Sequence, residues 1–198
     1  MSHYFHTPES TDKTYEFSSV IWGREYTFTS SSGVFSSTRL DLGTSVLFRL
    51  TDPPADKEGR FLDLGCGFGP IAVALATECP LGQVEAIDVN ERALELTAIN
   101  AKAAGVDDRV RVLLPDNVPG DVTYDEIWSN PPIRIGKKAL HEMLNQWLPR
   151  LRPTGTATLV VARNLGADSL HDWLTGTGWM VIRLGSAKGY RVLRVSRT

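Results

Sequence analysis

The stretch Asp63-Leu64-Gly65-Cys66-Gly67-Phe68-Gly69-Pro70 joins an apolar segment to an alanine-rich one. The apolar segment, 60–64, is predicted to be a strand, and 70–78 is predicted to be a helix that begins at the proline. Glycines carry no Cβ, so the backbone between them can turn sharply and come close to a ligand. The stretch therefore predicts a ligand-binding loop at the carboxyl edge of a parallel sheet.

The rest of the chain alternates between strand and helix patterns. Further strands are predicted at 83–88, 110–114, 124–128, 156–162, 179–184 and 190–195, and helices at 40–50, 91–104, 137–151 and 168–175. This alternation is typical of a parallel sheet covered by helices on both faces. The last two strands are separated only by 185–189, which is too short for a crossover helix and predicts an antiparallel hairpin. We expect an α/β fold with a Rossmann-like, seven-stranded, mainly parallel sheet, whose last strand is antiparallel and lies at an edge.

The bulk composition indicates a single domain. The chain has 198 residues, of which 42% are hydrophobic, enough to bury one core. We expect 1–54 to form an N-terminal extension with two short strands and a lead-in helix, and 55–198 to form the core. The formal net charge of -2 argues against a polycation that coats nucleic acid. Cys66 and Cys79 are too few for a disulfide framework or a zinc site, and we predict no bound metal.

No segment has the length and apolarity of a signal peptide or a membrane span, so we expect a cytoplasmic protein without membrane contacts. Basic residues nevertheless accumulate after the last acidic residue, Asp172. They are Arg183, Lys188, Arg191, Arg194 and Arg197. This run fits a solvated strand face and an RNA-facing patch equally well.

Acidic residues lie at the ends of three successive predicted strands. Asp63 suits a cationic ligand, and Pro70 stands where a dinucleotide fingerprint would need a small residue. Asp88 lies where a carboxylate can accept hydrogen bonds from both ribose hydroxyls of an adenosine. The pair Asp116-Asn117 could reach an adenine amino group. Each acid alone could be an ordinary helix cap, but the set of three favours a ligand site.

The stretch Asn130-Pro131-Pro132-Ile133 ends the fourth predicted core strand, which should lie next to the first. The prolines have no N–H, and each restricts the residue before it to extended conformations. The side-chain oxygen of Asn130 and the carbonyl of Pro131 could accept both hydrogens of an NH2 group. That arrangement would localise the nitrogen lone pair for attack on a methyl group. The alternative interpretation is an ordinary Pro-Pro turn. The candidate catalytic residues are Asn130, Pro131, Pro132 and Ile133.

These features together resemble the class I S-adenosylmethionine-dependent methyltransferases, specifically the small-domain family typified by bacterial 16S ribosomal RNA guanine-N2 methyltransferases. The similarity covers the chain from Gly33 to Arg194. The stretches that carry it are Gly33-Val34-Phe35-Ser36, Leu40-Asp41-Leu42-Gly43-Thr44, the glycine loop, Asn100-Ala101, the Asn-Pro-Pro-Ile-Arg-Ile-Gly-Lys string from Asn130 to Lys137, and Lys188-Gly189-Tyr190. The glycine loop is common to many methyltransferases, whereas the string that begins at Asn130 is typical of a much narrower group of them.

The resemblance implies S-adenosylmethionine as cofactor, S-adenosylhomocysteine as product and one methyltransferase domain over 1–198. The candidate cofactor-binding residues are Asp63, Gly65, Cys66, Gly67, Gly69, Asp88, Val89, Asp116, Asn117 and Asn130. The resemblance also implies that Asn130 and Pro131 bind the target amine.

The sequence departs from the family pattern in two ways. Many amino-methyltransferases have an aromatic residue after the Pro-Pro pair to stack on the base, whereas this chain has Ile133. Stacking would then come from Tyr4, Phe5 or Phe35, or the substrate differs. Longer relatives carry a second, degenerate methyltransferase-like half before the catalytic one, so we expect RNA docking to rely on this domain or on ribosomal protein.

The leading hypothesis is an RNA methyltransferase that acts on guanine N2 of small-subunit ribosomal RNA, with that RNA or the small ribosomal subunit as partner. Arg134, Lys137 and Lys138 beside the site favour a phosphate-bearing substrate, although they also fit the solvated face of a helix. The first alternative is an N-methyltransferase of a protein glutamine, DNA adenine or a small-molecule amine. The second is a non-catalytic protein that only binds RNA. The oligomeric state stays open.

Overall fold

The structure, a computed structural model, describes residues 13–32, 34, 38–131 and 136–198. Its strands are β1 (Thr14–Ile21), β2 (Arg24–Ser31), β3 (Arg60–Leu64), β4 (Gln83–Ile87), β5 (Val110–Leu113), β6 (Tyr124–Ser129), β7 (Leu151–Ala162), β8 (Trp179–Ala187) and β9 (Tyr190–Arg197). Its α-helices are α1 (Leu42–Arg49), α2 (Pro70–Glu78), α3 (Glu91–Ala103), α4 (Gly136–Trp147) and α5 (Ala167–Gly176). Most of these bounds lie within two residues of the predicted ones.

Seven strands form one sheet in the order β5-β4-β3-β6-β7-β9-β8, and β1 and β2 form a separate hairpin. β3 pairs in parallel with both β4 and β6, so the predicted first and fourth core strands are neighbours. β9 runs antiparallel to β7 and to β8, which confirms the prediction of an antiparallel last strand. The glycine loop after β3 therefore lies near the middle of the carboxyl edge of the sheet.

The prediction that the reversed strand lies at an edge was wrong. β8 is the edge strand, and β9 lies between it and β7. The two-residue turn Lys188-Gly189, with φ angles of 48° and 80°, holds the two strands side by side. β9 buries Val192 and Val195 completely, whereas β8 exposes about half of Ile182. The more apolar strand takes the inner position because that position removes more apolar surface from water.

The boundary between α4 and β7 also differs from the prediction. The helix ends at Trp147 and is followed by a short 3-10 helix, Leu148–Arg150. Pro149 has no backbone N–H and cannot continue the α-helical hydrogen bonding. β7 then begins at Leu151, so this strand is longer than the predicted 156–162.

Helices cover both faces of the sheet, as predicted, because successive residues of each strand point to opposite sides. In β3, Phe61 packs on the side of α1, α2 and α3. The next residue, Leu62, packs on the side of α4 and α5. The β1–β2 hairpin adds Phe28 to the first of these two cores. In the described part of the chain, no helix is long and apolar enough to cross a membrane.

Asn100 joins the β1–β2 hairpin to the glycine loop. The side chain is almost completely buried in α3. Its Oδ1 accepts from Thr29 N at 2.7 Å, and its Nδ2 donates to Thr29 O at 2.8 Å and to Phe68 O at 2.7 Å. One amide thus satisfies three backbone groups, which ties the hairpin to the position of the loop.

We expect the change Asn100→Ala to lower the free energy of unfolding by roughly 2–4 kcal/mol, because it leaves buried backbone groups of Thr29 and Phe68 without partners. Urea denaturation followed by circular dichroism measures this loss. Asn145→Ala on the exposed surface of α4 is the matched control and should change the free energy by about 0.5 kcal/mol or less. Equal urea midpoints for the two variants would contradict a structural role for Asn100.

Candidate active site

The glycine loop is fixed against the end of β4. The backbone N–H groups of Gly65 and Cys66 both donate to the carbonyl of Ile87, at 2.9 Å each. Gly69 has a φ of 88°, and a Cβ there would lie 2.7 Å from Thr97 Cγ2. Only glycine fits that position without moving α3. The loop is therefore held on one side by β4 and on the other by α3.

Asp63 lies at the start of the loop and is completely buried. Its Oδ2 accepts a hydrogen bond from Ala72 N at 2.9 Å. Its Oδ1 has no hydrogen-bond partner among the residues that the structure describes. Burial raises the pKa of Asp63 to about 8, and the neighbouring Asp88 carboxylate acts in the same direction. A cationic group beside Oδ1 would favour the ionised form and supply the missing partner.

Asp88 follows β4 and contacts the glycine loop. Its Oδ2 accepts from Gly67 N at 3.0 Å, and its Oδ1 accepts from Asn90 N at 2.9 Å. Each carboxylate oxygen has two lone pairs, so each can accept one further bond from a hydroxyl group. A Cβ at Gly67 would meet nothing within 4 Å, which leaves open space on that side of the loop. Asp88 thus retains the capacity predicted for a ribose-binding carboxylate.

The other predicted cofactor residues lie along the same edge. Val89 follows Asp88 and is 83% exposed. Asp116 and Asn117 lie on a short 3-10 helix that follows β5, and both are exposed. Because β5 pairs in parallel with β4, this helix neighbours the Asp88 end of β4. The structure therefore brings the three strand-end acids to one edge of the sheet.

Cys66 packs inside the loop. Its Sγ accepts a hydrogen bond from Thr97 Oγ1 at 3.4 Å. Burial raises the pKa of the Cys66 thiol, and the Asp63 carboxylate raises it further. A protonated, buried thiol is a poor nucleophile, so this residue fills space beneath the loop.

Asn130 follows β6, and its side chain is held by the start of α1. Its Nδ2 donates to Asp41 Oδ2 at 2.6 Å and to Thr44 Oγ1 at 3.0 Å. A carboxylate accepts hydrogen bonds but cannot donate them, so Asp41 requires the amide nitrogen on its side. The Oδ1 atom of Asn130 is left as an acceptor. The adjacent Pro131 is buried, whereas Pro132 and Ile133 lie outside the described residues.

Residues that the sequence interpretation did not use surround Asn130. A Cβ at Gly43 would lie 2.9 Å from Tyr190 Cε1 and 3.1 Å from Asn130 Oδ1, so the absence of a side chain there lets both residues approach α1. Burial raises the pKa of Tyr190, and the Asp41 carboxylate acts in the same direction. An aromatic ring therefore does lie beside Asn130. The residues proposed for stacking, Tyr4, Phe5 and Phe35, lie outside the described residues.

The sequence indicates only one of the two roles of Asp41. Its Oδ2 accepts from Thr44 N at 3.1 Å, and it is the N-cap of α1. An Asp three residues before a Thr at a helix start is a recognisable capping signal. The same oxygen also accepts from Asn130, 89 positions later in the chain, and no local pattern shows that contact.

The residues present fit S-adenosylmethionine. Asp63 would hold its ammonium group, Asp88 its ribose hydroxyls, and Val89 with Asp116-Asn117 its adenine. The orphaned Oδ1 of Asp63 is the observation on which this fit rests. In the described ranges, no cluster of three or more His, Cys, Asp or Glu side chains is arranged to hold a metal ion.

Comparison with known proteins gives the family. The sequence model of the family described as "Methyltransferase small domain" matches residues 25–194. The chain is 34% identical over 192 residues to YbxB of Bacillus subtilis (strain 168), a protein described as uncharacterized. That alignment covers 96% of this chain and 94% of YbxB. It is 38% identical over 148 residues to the ribosomal RNA small subunit methyltransferase C of Hahella chejuensis. That alignment covers 72% of this chain and 41% of the Hahella protein.

Among solved structures, the 16S rRNA N2 G1207 methyltransferase of T. thermophilus, in complex with AdoMet and guanosine, superposes with a TM-score of 0.82. The two chains share 24% sequence identity, and the match covers 96% of this chain and 52% of that one. This likeness confirms the predicted fold. The chain spans about half the length of the ribosomal RNA methyltransferases that it matches. The chain belongs to the methyltransferase small domain family and is related to the small-subunit ribosomal RNA methyltransferases.

Proposed function

We propose that the protein transfers a methyl group from S-adenosylmethionine to an exocyclic amine, namely N2 of a guanine in small-subunit ribosomal RNA. The orientation of Asn130 carries this proposal. Asp41 and Thr44 fix the amide nitrogen, so the amide oxygen is presented as an acceptor. An acceptor at that position binds an NH2 group, which guanine N2 supplies.

The chemistry follows from what the residues can do. The bound cofactor supplies an electrophilic methyl group on a sulfonium. Asn130 Oδ1 and the Pro131 carbonyl accept hydrogen bonds from the two N–H groups of the amine and direct its lone pair toward that methyl group. The amine nitrogen would form the N–C bond as the C–S bond breaks and S-adenosylhomocysteine leaves, and the proton that the nitrogen then loses would pass to solvent. Preorganised acceptors of this kind need no reorientation during the reaction, so they favour the transition state over the bound substrate.

Three observations support the choice of guanine in ribosomal RNA. Relatives that match most of this chain are named ribosomal RNA small subunit methyltransferase C. The T. thermophilus protein with the same fold is an N2 G1207 methyltransferase whose structure contains guanosine. The ring of Tyr190 beside Asn130 provides an aromatic surface for a base, which Ile133 does not.

The direct test is methyl transfer from labelled S-adenosylmethionine to three acceptors: 30S subunits, naked ribosomal RNA and total protein, all from cells that lack the gene. We expect label in ribosomal RNA, and mass spectrometry of its nucleosides should identify N2-methylguanosine. Label in protein or in another nucleoside would overturn the guanine assignment. Cofactor binding without transfer to any acceptor would indicate a non-catalytic protein.

Asn130 and Asp88 should have separable effects. Asn130→Ala should lower turnover by roughly a hundredfold or more and change cofactor affinity much less, because its hydrogen bond is to the amine. Asp88→Ala removes a charge-assisted acceptor and should weaken cofactor binding by about ten- to a hundredfold. Calorimetry and single-turnover kinetics measure the two quantities. Wild-type turnover in Asn130→Ala would mean that the Asn-Pro-Pro stretch is only a turn.

Asp41 should act through Asn130 as a positioning residue. Asp41→Ser keeps a good N-cap for α1 but removes the carboxylate that holds Asn130 Nδ2. We expect turnover to fall about tenfold, equivalent to about 1.4 kcal/mol of transition-state stabilisation. In a double-mutant cycle with Asn130→Ala the two losses should not add, since both act on one amide. Additive losses would show that Asp41 acts independently of Asn130.

Asp63 should make the stability of the cofactor-free protein depend on pH. Burial raises its folded pKa to about 8, far above the ordinary value of 3.8 for an aspartate, so its stabilising contribution is complete below pH 4 and is lost as the pH rises toward 8. The free energy of unfolding should therefore fall as the pH rises through that window. Asp63→Asn should remove this slope between pH 5 and 7.5 in urea titrations. Parallel pH profiles for both proteins would mean that Asp63 is ionised without the cofactor.

A further inference from the structure

A cavity of about 630 Å³ opens at the carboxyl edge of the sheet, on the opposite side of Asn130 from the glycine loop. Its walls are the end of β7 with the short helix that follows, Arg163–Leu165, and the turn between β8 and β9. Arg163 N donates to Gly189 O at 2.8 Å, which joins the two walls. Ala162 pairs with Tyr190 in the sheet directly beneath them. The cavity is therefore framed by backbone hydrogen bonds.

The cavity presents positive charge. Arg163 and Lys188 line it, both are exposed, and neither has an acidic partner among the residues that the structure describes. The one acid in the lining, Asp168, is paired with Arg191 and lies 3.5 Å from Arg183 Nη2. Asp168 is thus occupied by Arg191 and Arg183, whereas Arg163 and Lys188 on the cavity wall are available to bind an anion.

The other basic residues of the C-terminal run have different surroundings. Arg197 donates to the carbonyls of Pro149 and Leu151 and lies over the Trp179 ring. Arg194 is half-buried. The run is therefore neither a uniform solvated face nor a uniform RNA-facing patch. The part that faces a cavity beside the active site is Lys188.

Tyr190 connects this cavity to Asn130. The residue lines the cavity, and its ring lies against Gly43 beside the Asn130 amide. A base held next to Asn130 would therefore have the Tyr190 ring on one side, and the backbone of its strand would continue into the cavity. A phosphodiester is the anion that a nucleic acid strand brings to such a position.

We propose that this cavity binds the phosphodiester backbone of the substrate RNA beside the target nucleotide, with Arg163 and Lys188 as the phosphate-binding residues. The proposal rests on the proposed function, because it takes RNA as the substrate. In this proposal the β7–β9 side of the sheet edge binds RNA phosphate, whereas the glycine loop binds the cofactor and the Asn-Pro-Pro stretch binds the target amine. Single-stranded segments are bound by the same combination of basic groove and aromatic side chain in other proteins.

The test is the double variant Arg163→Gln, Lys188→Asn. Asparagine tolerates the positive φ of 48° at position 188 and forms an Asn-Gly turn, which is favoured in two-residue hairpins, so this variant should fold. The matched control is Arg49→Gln, Lys102→Gln, which removes the same charges from the last turns of α1 and α3. Both residues are exposed, and neither lines the cavity.

The measurement is fluorescence anisotropy of a short, labelled single-stranded RNA from small-subunit ribosomal RNA, with saturating S-adenosylhomocysteine, between about 50 and about 200 mM salt. The double variant should bind roughly ten- to a hundredfold more weakly than wild type at low salt. The slope of log K against log salt should become shallower by about 1.4, as expected for two lost phosphate contacts on a single strand. The control should match wild type, and cofactor affinity by calorimetry should be unchanged in both.

Several results would overturn the proposal. They are an unchanged RNA affinity in the double variant, an equal loss in the control, tighter binding of wild type to DNA of the same sequence, or no RNA binding by wild type at low salt. This assay measures no methyl transfer, so its outcome is separate from that of the proposed function. Loss of RNA binding in the double variant, with a methylated base other than guanine, would support the cavity and overturn only the guanine assignment.

Discussion

The carbonyl oxygen of Ile87 accepts hydrogen bonds from the backbone N–H groups of both Gly65 and Cys66, and this shared contact is the one on which the candidate active site depends. It holds the glycine loop at the end of β4, and it does so only because Gly69 leaves room for Thr97 on the other side. The position of the loop then determines where Asp63 lies at its start. It also determines where the Gly67 N–H lies, which donates a hydrogen bond to Asp88. Even the β1–β2 hairpin is connected to this loop, through the buried amide of Asn100. Because the loop is fixed from two sides, a ligand that contacts it meets a preformed surface.

Asp63 shows how that surface is kept ready for a cation. A buried carboxyl with one unsatisfied oxygen is unfavourable when ionised, and its pKa of about 8 keeps it protonated at neutral pH. A bound ammonium group would reverse this balance, since opposite charges at short distance favour ionisation of the acid. A cationic ligand would therefore relieve a local destabilisation at Asp63, and strongly shifted pKa values of this kind concentrate at functional positions.

The sequence predicted most of the fold, because periodicity is a local property and the elements here are strongly periodic. The glycine loop and the strand-end acids could be placed because parallel strands all end at one edge of a sheet. The position of β9 inside the sheet could not be predicted, since it depends on which strand of the hairpin buries more apolar surface. The contact of Asp41 with Asn130 was also beyond reach, because a capping signal explains Asp41 completely at the local level. Tyr190 was quoted only as part of a family resemblance, and nothing local to it indicated that α1 would bring it beside Asn130.

The formal net charge of -2 conceals a separation of charge along the edge of the sheet. The half formed by β3, β4 and β5 carries Asp88 and Asp116, with Asp63 able to ionise beside a cation. The half formed by β7, β8 and β9 carries Arg163 and Lys188, while its Asp168 is paired with Arg191. A cationic cofactor and an anionic RNA would each meet the opposite charge, and each would be disfavoured in the other's place. Asn130 stands at the boundary, and the start of α1 fixes its uncharged amide there. In the proposed reaction the methyl group would pass from one ligand to the other at this boundary, so a rigid neutral acceptor here would serve the transfer without attracting either ligand out of position.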